Sequence, residues 1–252
     1  MRKQMSTEKA DIAAIIGKGL VGAIPFVGPL AAEIVGTIIP NQRIDRIESL
    51  LRLLESKILE DEKEKVKQRI VSPEYVDLME DGFWQAARAL SEERKDYIAS
   101  LLKNSLTDDE LKYIEYKRLM SILGELNDLE ILILKSISMD RLGEEYKKFW
   151  EMHGDALELP SVVFGETTEE GIDKRAIYGA HTLHLANIGL LKEEKPKDVT
   201  DFYNKSESYS NLLPDFTSTF DKETEVIKAE NCTITRLGKL LLRSIDQAAP
   251  EQ

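Results

Sequence analysis

The chain has 252 residues, 42% hydrophobic and 32% charged, the balance of a helix-rich globular protein with length for one or two cores. Its net charge of −12 excludes general nucleic-acid binding, because phosphate backbones are held mainly by a surplus of Lys and Arg. A lone cysteine, Cys232, excludes an intramolecular disulfide and fits a reducing compartment.

The start, MRKQMSTEKAD, is mixed in charge, and the apolar run after it lacks a small-x-small cleavage site. Both features argue against a secretory signal peptide. The run itself, Asp11 to Pro40, reads DIAAIIGKGLVGAIPFVGPLAAEIVGTIIP. It holds five of the 14 glycines, and only Lys18 and Glu33 are charged between Ile12 and Ile39. Pro25 and Pro29, with Phe26 and Gly28 between them, break a continuous helix. The pattern predicts an apolar helical hairpin over 1–40, with arms at Ile12–Ile24 and Leu30–Ile39. Each arm is about 15–20 Å long, roughly half of a bilayer's hydrocarbon core. Gly17, Gly19, Gly22, Gly28 and Gly36 permit the close helix packing that works in lipid. Stretches 19–24 and 26–32 have no polar side chain on any face, unlike a surface helix. Arg2, Lys3, Lys9 and Lys18 suit an anionic inner leaflet. Glu33 argues the other way, since a carboxylate at membrane depth must be neutral, paired or pore-lining. The segment therefore reads as membrane-inserting, with a hairpin buried in a soluble bundle as the other reading.

From Asn41 the chain turns strongly charged. Ile44, Ile47, Leu51, Leu54 and Ile58 follow a 3-4-3-4 spacing, a seam of about two and a half heptads. One amphipathic helix is predicted over 41–71, ended by Pro73. Its seam serves either packing inside its own chain or self-association. Helices follow to about residue 124. Ser91 and Thr107 are predicted N-caps; Thr107–Glu110 and Asn127–Glu130 match the capping box.

Residues 125–252 read differently: helices 128–138, 141–153 and 174–189, a short apolar stretch at Leu190–Leu191, a polar stretch over 193–230 with 10 acids and 5 bases, a β-like run at Cys232–Thr235, and a last helix. That order is similar to a winged-helix module with an enlarged wing. Its characteristic phrase is Leu185, Gly189, Leu190 and Leu191, then Thr233, Thr235, Gly238 and Leu240–Leu242. The fold class expected is mostly α: an apolar hairpin (1–40), a helical bundle (41–124) and a winged-helix-like α+β module (125–252).

Catalytic and metal signatures are weak. Gly17-Lys18-Gly19-Leu20-Val21-Gly22 matches GxGxxG, but the prolines after it destroy the helix that a dinucleotide site needs. His181 and His184 share a helix face, yet the chain lacks the further His and Cys of a zinc site. Cys232 has no His/Asn context for a nucleophile. No enzyme chemistry and no cofactor is expected. Lys174, Arg175, His181 and His184 would form a recognition surface, but Glu169, Glu170 and Asp173 oppose it, which disfavours specific DNA binding.

The order of parts resembles bacterial abortive-infection proteins of the alpha type, over residues 119–245. Leu123, Leu126, Glu130, Ile133 and Leu134 match an LxxLxxxExxIL-like phrase. Leu183, Leu185, Ala186, Asn187, Ile188, Gly189, Leu190 and Leu191 match NLxxLGLI, and Ile234, Thr235 and Gly238 match LTxxGxxF. Leu241 departs from the last, which has an aromatic there. The resemblance implies phage defence by disabling the host. The resulting expectation is a cytoplasmic effector that associates with the inner membrane, with lipid, a trigger or sensor protein and further copies of itself as partners. Its insertion residues would be Gly17, Lys18, Gly19, Gly22, Pro25, Phe26, Gly28, Pro29, Glu33 and Gly36. Its oligomerisation residues would be Ile44, Ile47, Leu51, Leu54 and Ile58. A soluble adaptor that keeps the hairpin buried is the other expectation.

Overall fold

The computed structural model describes residues 43–158, 168–193 and 232–248. The predicted hairpin, and most of the predicted wing, lie outside these residues. Among the described residues there are nine helices and one two-stranded antiparallel sheet. The chain divides into two compact units between Leu126 and Asn127, with Arg243–Gln247 grouped with the first.

The first unit holds α1 (Ile44–Lys57), α2 (Lys63–Arg69), α3 (Pro73–Arg88), α4 (Glu92–Thr107) and α5 (Tyr113–Glu125). Its core is aliphatic: Ile47, Leu50, Leu51 and Leu54 of α1 meet side chains of α3 and α4. Gly82 lets α3 approach α4, where an added Cβ would lie 3.0 Å from Leu102. The single helix predicted over 41–71 is in fact two. Ile58 is extended, and a 3-10 turn covers Glu60–Glu62. The Glu62 carboxylate accepts from Leu59 N–H at 2.9 Å and restarts the chain as α2. The reason is phase. In one helix, at about 100° per residue, Val66 and Ile70 would sit roughly 120–160° from the Leu54 face. The break brings both into the core.

Caps set the other ends. Ser72 accepts from Tyr75 N–H with Pro73 at the first helical position, and Ser91 accepts from Arg94 N–H as predicted. Thr107 does not cap. It is the last residue of α4, its hydroxyl donates back to Lys103 O, and α5 begins later, at Tyr113. A hydroxyl bonded backward inside a helix is unavailable to the next one.

The second unit holds α6 (Asp128–Ser138), α7 (Glu144–Leu157), α8 (Glu169–Asn187), β1 (Leu191–Glu193), β2 (Cys232–Ile234) and α9 (Arg236–Ser244), the last residues of α9 being grouped with the first unit. The strands pair antiparallel, Leu191 opposite Ile234 and Glu193 opposite Cys232. The phrase singled out in the sequence is a local fold device. Gly189, at φ +82°, closes α8: its N–H donates to Ala186 O, and Leu190 N–H donates to Leu185 O. This is a Schellman cap, with Leu185 and Leu190 buried as its apolar pair. Thr235 then joins the parts. Its N–H donates to Leu190 O, its hydroxyl donates to Gly189 O at 2.7 Å, and that hydroxyl accepts from Gly238 N–H at the start of α9. A Cβ at Gly238 would lie 2.5 Å from Leu190 O, so only glycine fits.

Candidate functional site

A polar cluster is built where α6 begins in the second unit. Asn127 caps α6: its side chain accepts from Glu130 N–H, and Glu130 Oε2 accepts from Asn127 N–H, each at 2.9 Å. This is the predicted capping box. It draws Glu130 into the interior, where the residue is only 3% exposed. The other oxygen, Oε1, lies 2.8 Å from His184 Nδ1 and 3.1 Å from His181 Nδ1, both on α8. Asn127 Nδ2 stands 3.3 Å from His181 Nδ1.

Burial alone would push the Glu130 carboxyl upward. The Asn127 N–H and the two imidazoles outweigh it and hold the group below its ordinary value of 4.5. A buried carboxylate is tolerated when both oxygens are satisfied. With the proton on Nδ1, each imidazole donates to that oxygen and keeps Nε2 for exchange with its surroundings. Among the described residues neither ring is hydrogen-bonded to a serine, cysteine or threonine. The cluster can orient two imidazoles between α6 and α8. It also places His181 and His184, read in the sequence as recognition-helix residues, against a buried acid. Lys174, of the same reading, pairs with Glu170 at 2.8 Å.

The two halves of this cluster were legible separately, as a capping box and as a His pair three residues apart. Their meeting spans 51 and 54 residues of sequence, and no local pattern signals it.

All ten insertion residues, Gly17 through Gly36, lie outside the described residues. Of the seam, Ile47, Leu51 and Leu54 are fully buried in the first unit, Ile58 is half-buried where α1 ends, and Ile44 opens the helix. Among the described residues no group of three His, Cys, Asp or Glu side chains is arranged to hold a metal, and no helix is long and apolar enough to cross a membrane. Cys232 is buried, and burial, with Glu193 adding, pushes its thiol pKa up, the opposite of an activated nucleophile.

Compared with protein-family models, curated proteins and solved structures, the chain matches none.

Proposed function

We propose that this protein is a host-disabling defence effector whose 11–40 segment enters the inner membrane after a trigger. One observation carries the reading: a Gly- and Pro-rich apolar stretch, with two charges between Ile12 and Ile39, precedes a strongly acidic helical protein. The element order α6, α7, α8, β1, β2, α9 and the antiparallel pairing of β1 with β2 support a winged-helix-like reading of residues 125–252. Large apolar side chains stand out on that unit, with Leu142 89% and Met152 72% exposed, and they supply a surface for a trigger or sensor protein.

Insertion would use Pro25 and Pro29 for the turn and the five glycines for packing. Oligomerisation through Ile47, Leu51 and Leu54 would require α1 to leave α3 and α4, so the leak-forming state differs from the one described.

The test is toxicity on overexpression in bacteria, where excess chain populates the inserted state without the trigger. Gly22→Leu and Gly28→Leu each abolish toxicity while abundance and the helical signal stay unchanged. Toxicity that survives both changes removes the segment from the mechanism. A soluble adaptor is the second reading, favoured by the internal burial of the α1 seam. It predicts full-length protein in the detergent-free soluble fraction and no growth defect.

A further inference from the structure

A cleft of about 380 Å³ opens in the first unit, between the start of α3 and the 108–112 connection. That volume lies in the range of small-molecule sites. Its walls are fixed by α2. Lys65 Nζ donates to Thr107 O at 2.6 Å and pairs with Asp109 at 2.6 Å. Arg69 donates to Leu106 O at 3.1 Å and Asp108 O at 2.8 Å, and also pairs with Asp109. The connection is therefore clamped at both its carbonyls and its acid, and the cleft is largely pre-formed.

Three tyrosines line it: Tyr75 of α3 and Tyr113 and Tyr116 of α5. Tyr116 is buried, and its hydroxyl donates to Asp108 Oδ2 at 2.8 Å. Glu110 N–H donates to the other oxygen, Oδ1, at 2.8 Å. Each oxygen has taken one donor and keeps a further lone pair. Burial, then the neighbouring Asp108, raises the Tyr116 pKa, so the phenol stays a donor. Tyr75 is 5% exposed, and its hydroxyl has no hydrogen-bond partner among the described residues. That oxygen is closed off from solvent, so Tyr75 meets the cleft with its ring.

Charge decides the ligand class. Of the lining cations, Arg69 is spent on Asp109 and two carbonyls, and Lys112 is an exposed residue. The lining acids Asp108 and Glu74 have no ion pair among the described residues. Carboxylates without a cation, beside aromatic rings, favour a positive ligand that can also donate hydrogen bonds. The net charge of −12 draws cations toward the surface. An anion would meet Asp108 and Glu74, and Lys112 is the lining cation not already bonded to the 106–109 stretch.

We propose that this cleft binds a small protonated amine on an apolar body, the ammonium donating to Asp108 and the body lying against Tyr75, Tyr113 and Tyr116. The site belongs to the first unit and stands whether or not the 11–40 segment inserts.

The experiment is isothermal titration of the full chain with three probes of one shape and different charge: phenethylamine, phenethyl alcohol and phenylacetate. Phenethylamine binds, and the alcohol and the acid bind at least about tenfold more weakly, the share of a charge-assisted hydrogen bond. Asp108→Asn removes the charge, its one oxygen able to accept from Glu110 N–H while its amide donates to the Tyr116 hydroxyl, and weakens the amine about tenfold. Glu74→Gln, at an exposed position that does not threaten the fold, weakens it about two- to threefold. Equal binding of the three probes overturns the proposal. So does unchanged amine affinity in a folded Asp108→Asn chain, or no heat with phenethylamine at concentrations up to about 10 mM.

Discussion

Glu130 ties the start of α6 to α8. One oxygen closes the capping box and the other holds two imidazoles. Glu130→Ala removes the helix-start acceptor, leaves His184 Nδ1 without its partner and leaves His181 Nδ1 with Asn127 Nδ2 alone. It should cost about 2 kcal/mol, measured by urea denaturation. The same carboxyl is held below its ordinary value of 4.5 in the folded chain. Its contribution is therefore fully present above 4.5 and is lost as pH falls through the lower folded value. Glu130→Gln should flatten the stability profile in that acid range, and a mutant profile as steep as the parent's would contradict the assignment. Gly238 is the second sensitive residue. An alanine there drives its Cβ toward Leu190 O at 2.5 Å and Ile234 at 2.7 Å, and should cost about 2 kcal/mol or more. Leu190, Thr235 and Gly238 stood out in the sequence as a phrase. The structure makes them a turn that joins α8, β1 and α9, which is fold chemistry rather than ligand chemistry.

Among the elements, those that local rules govern were legible. Asn127 and Glu130 start α6 as their spacing predicts, and Ser91 starts α4. The short strand at Cys232–Ile234 and the helix after it fall where the β-like run at Cys232–Thr235 and the last helix were expected. What failed was governed from a distance. The charged run 60–65 reads as a continuing helix, but continuing it would strand Val66 and Ile70 away from the core, so the chain breaks. Thr107 has the right neighbours for a cap, yet α4 keeps it as a last helical turn. The seam of α1 has two readings in sequence and a buried position in the structure. Leu51→Ala should destabilise the first unit by about 2–5 kcal/mol. Because Leu51 packs against its own chain here, that loss should not depend on protein concentration, as checked by melts over a hundredfold dilution series. A loss that grows on dilution would place the seam between copies instead.

For the whole molecule, the central claim is that an acidic, mostly helical protein carries one apolar segment able to enter a bilayer. The described helices have no stretch that could do so, and residues 11–40 are where the apolar surplus concentrates. The most direct measurement is membrane-potential dye fluorescence in bacteria that overexpress the full chain, beside bacteria that overexpress a chain lacking residues 1–40. The account predicts depolarisation with the full chain and none with the shortened one. Equal depolarisation by both chains, or a steady potential with both while the full chain remains in the soluble fraction, would contradict it.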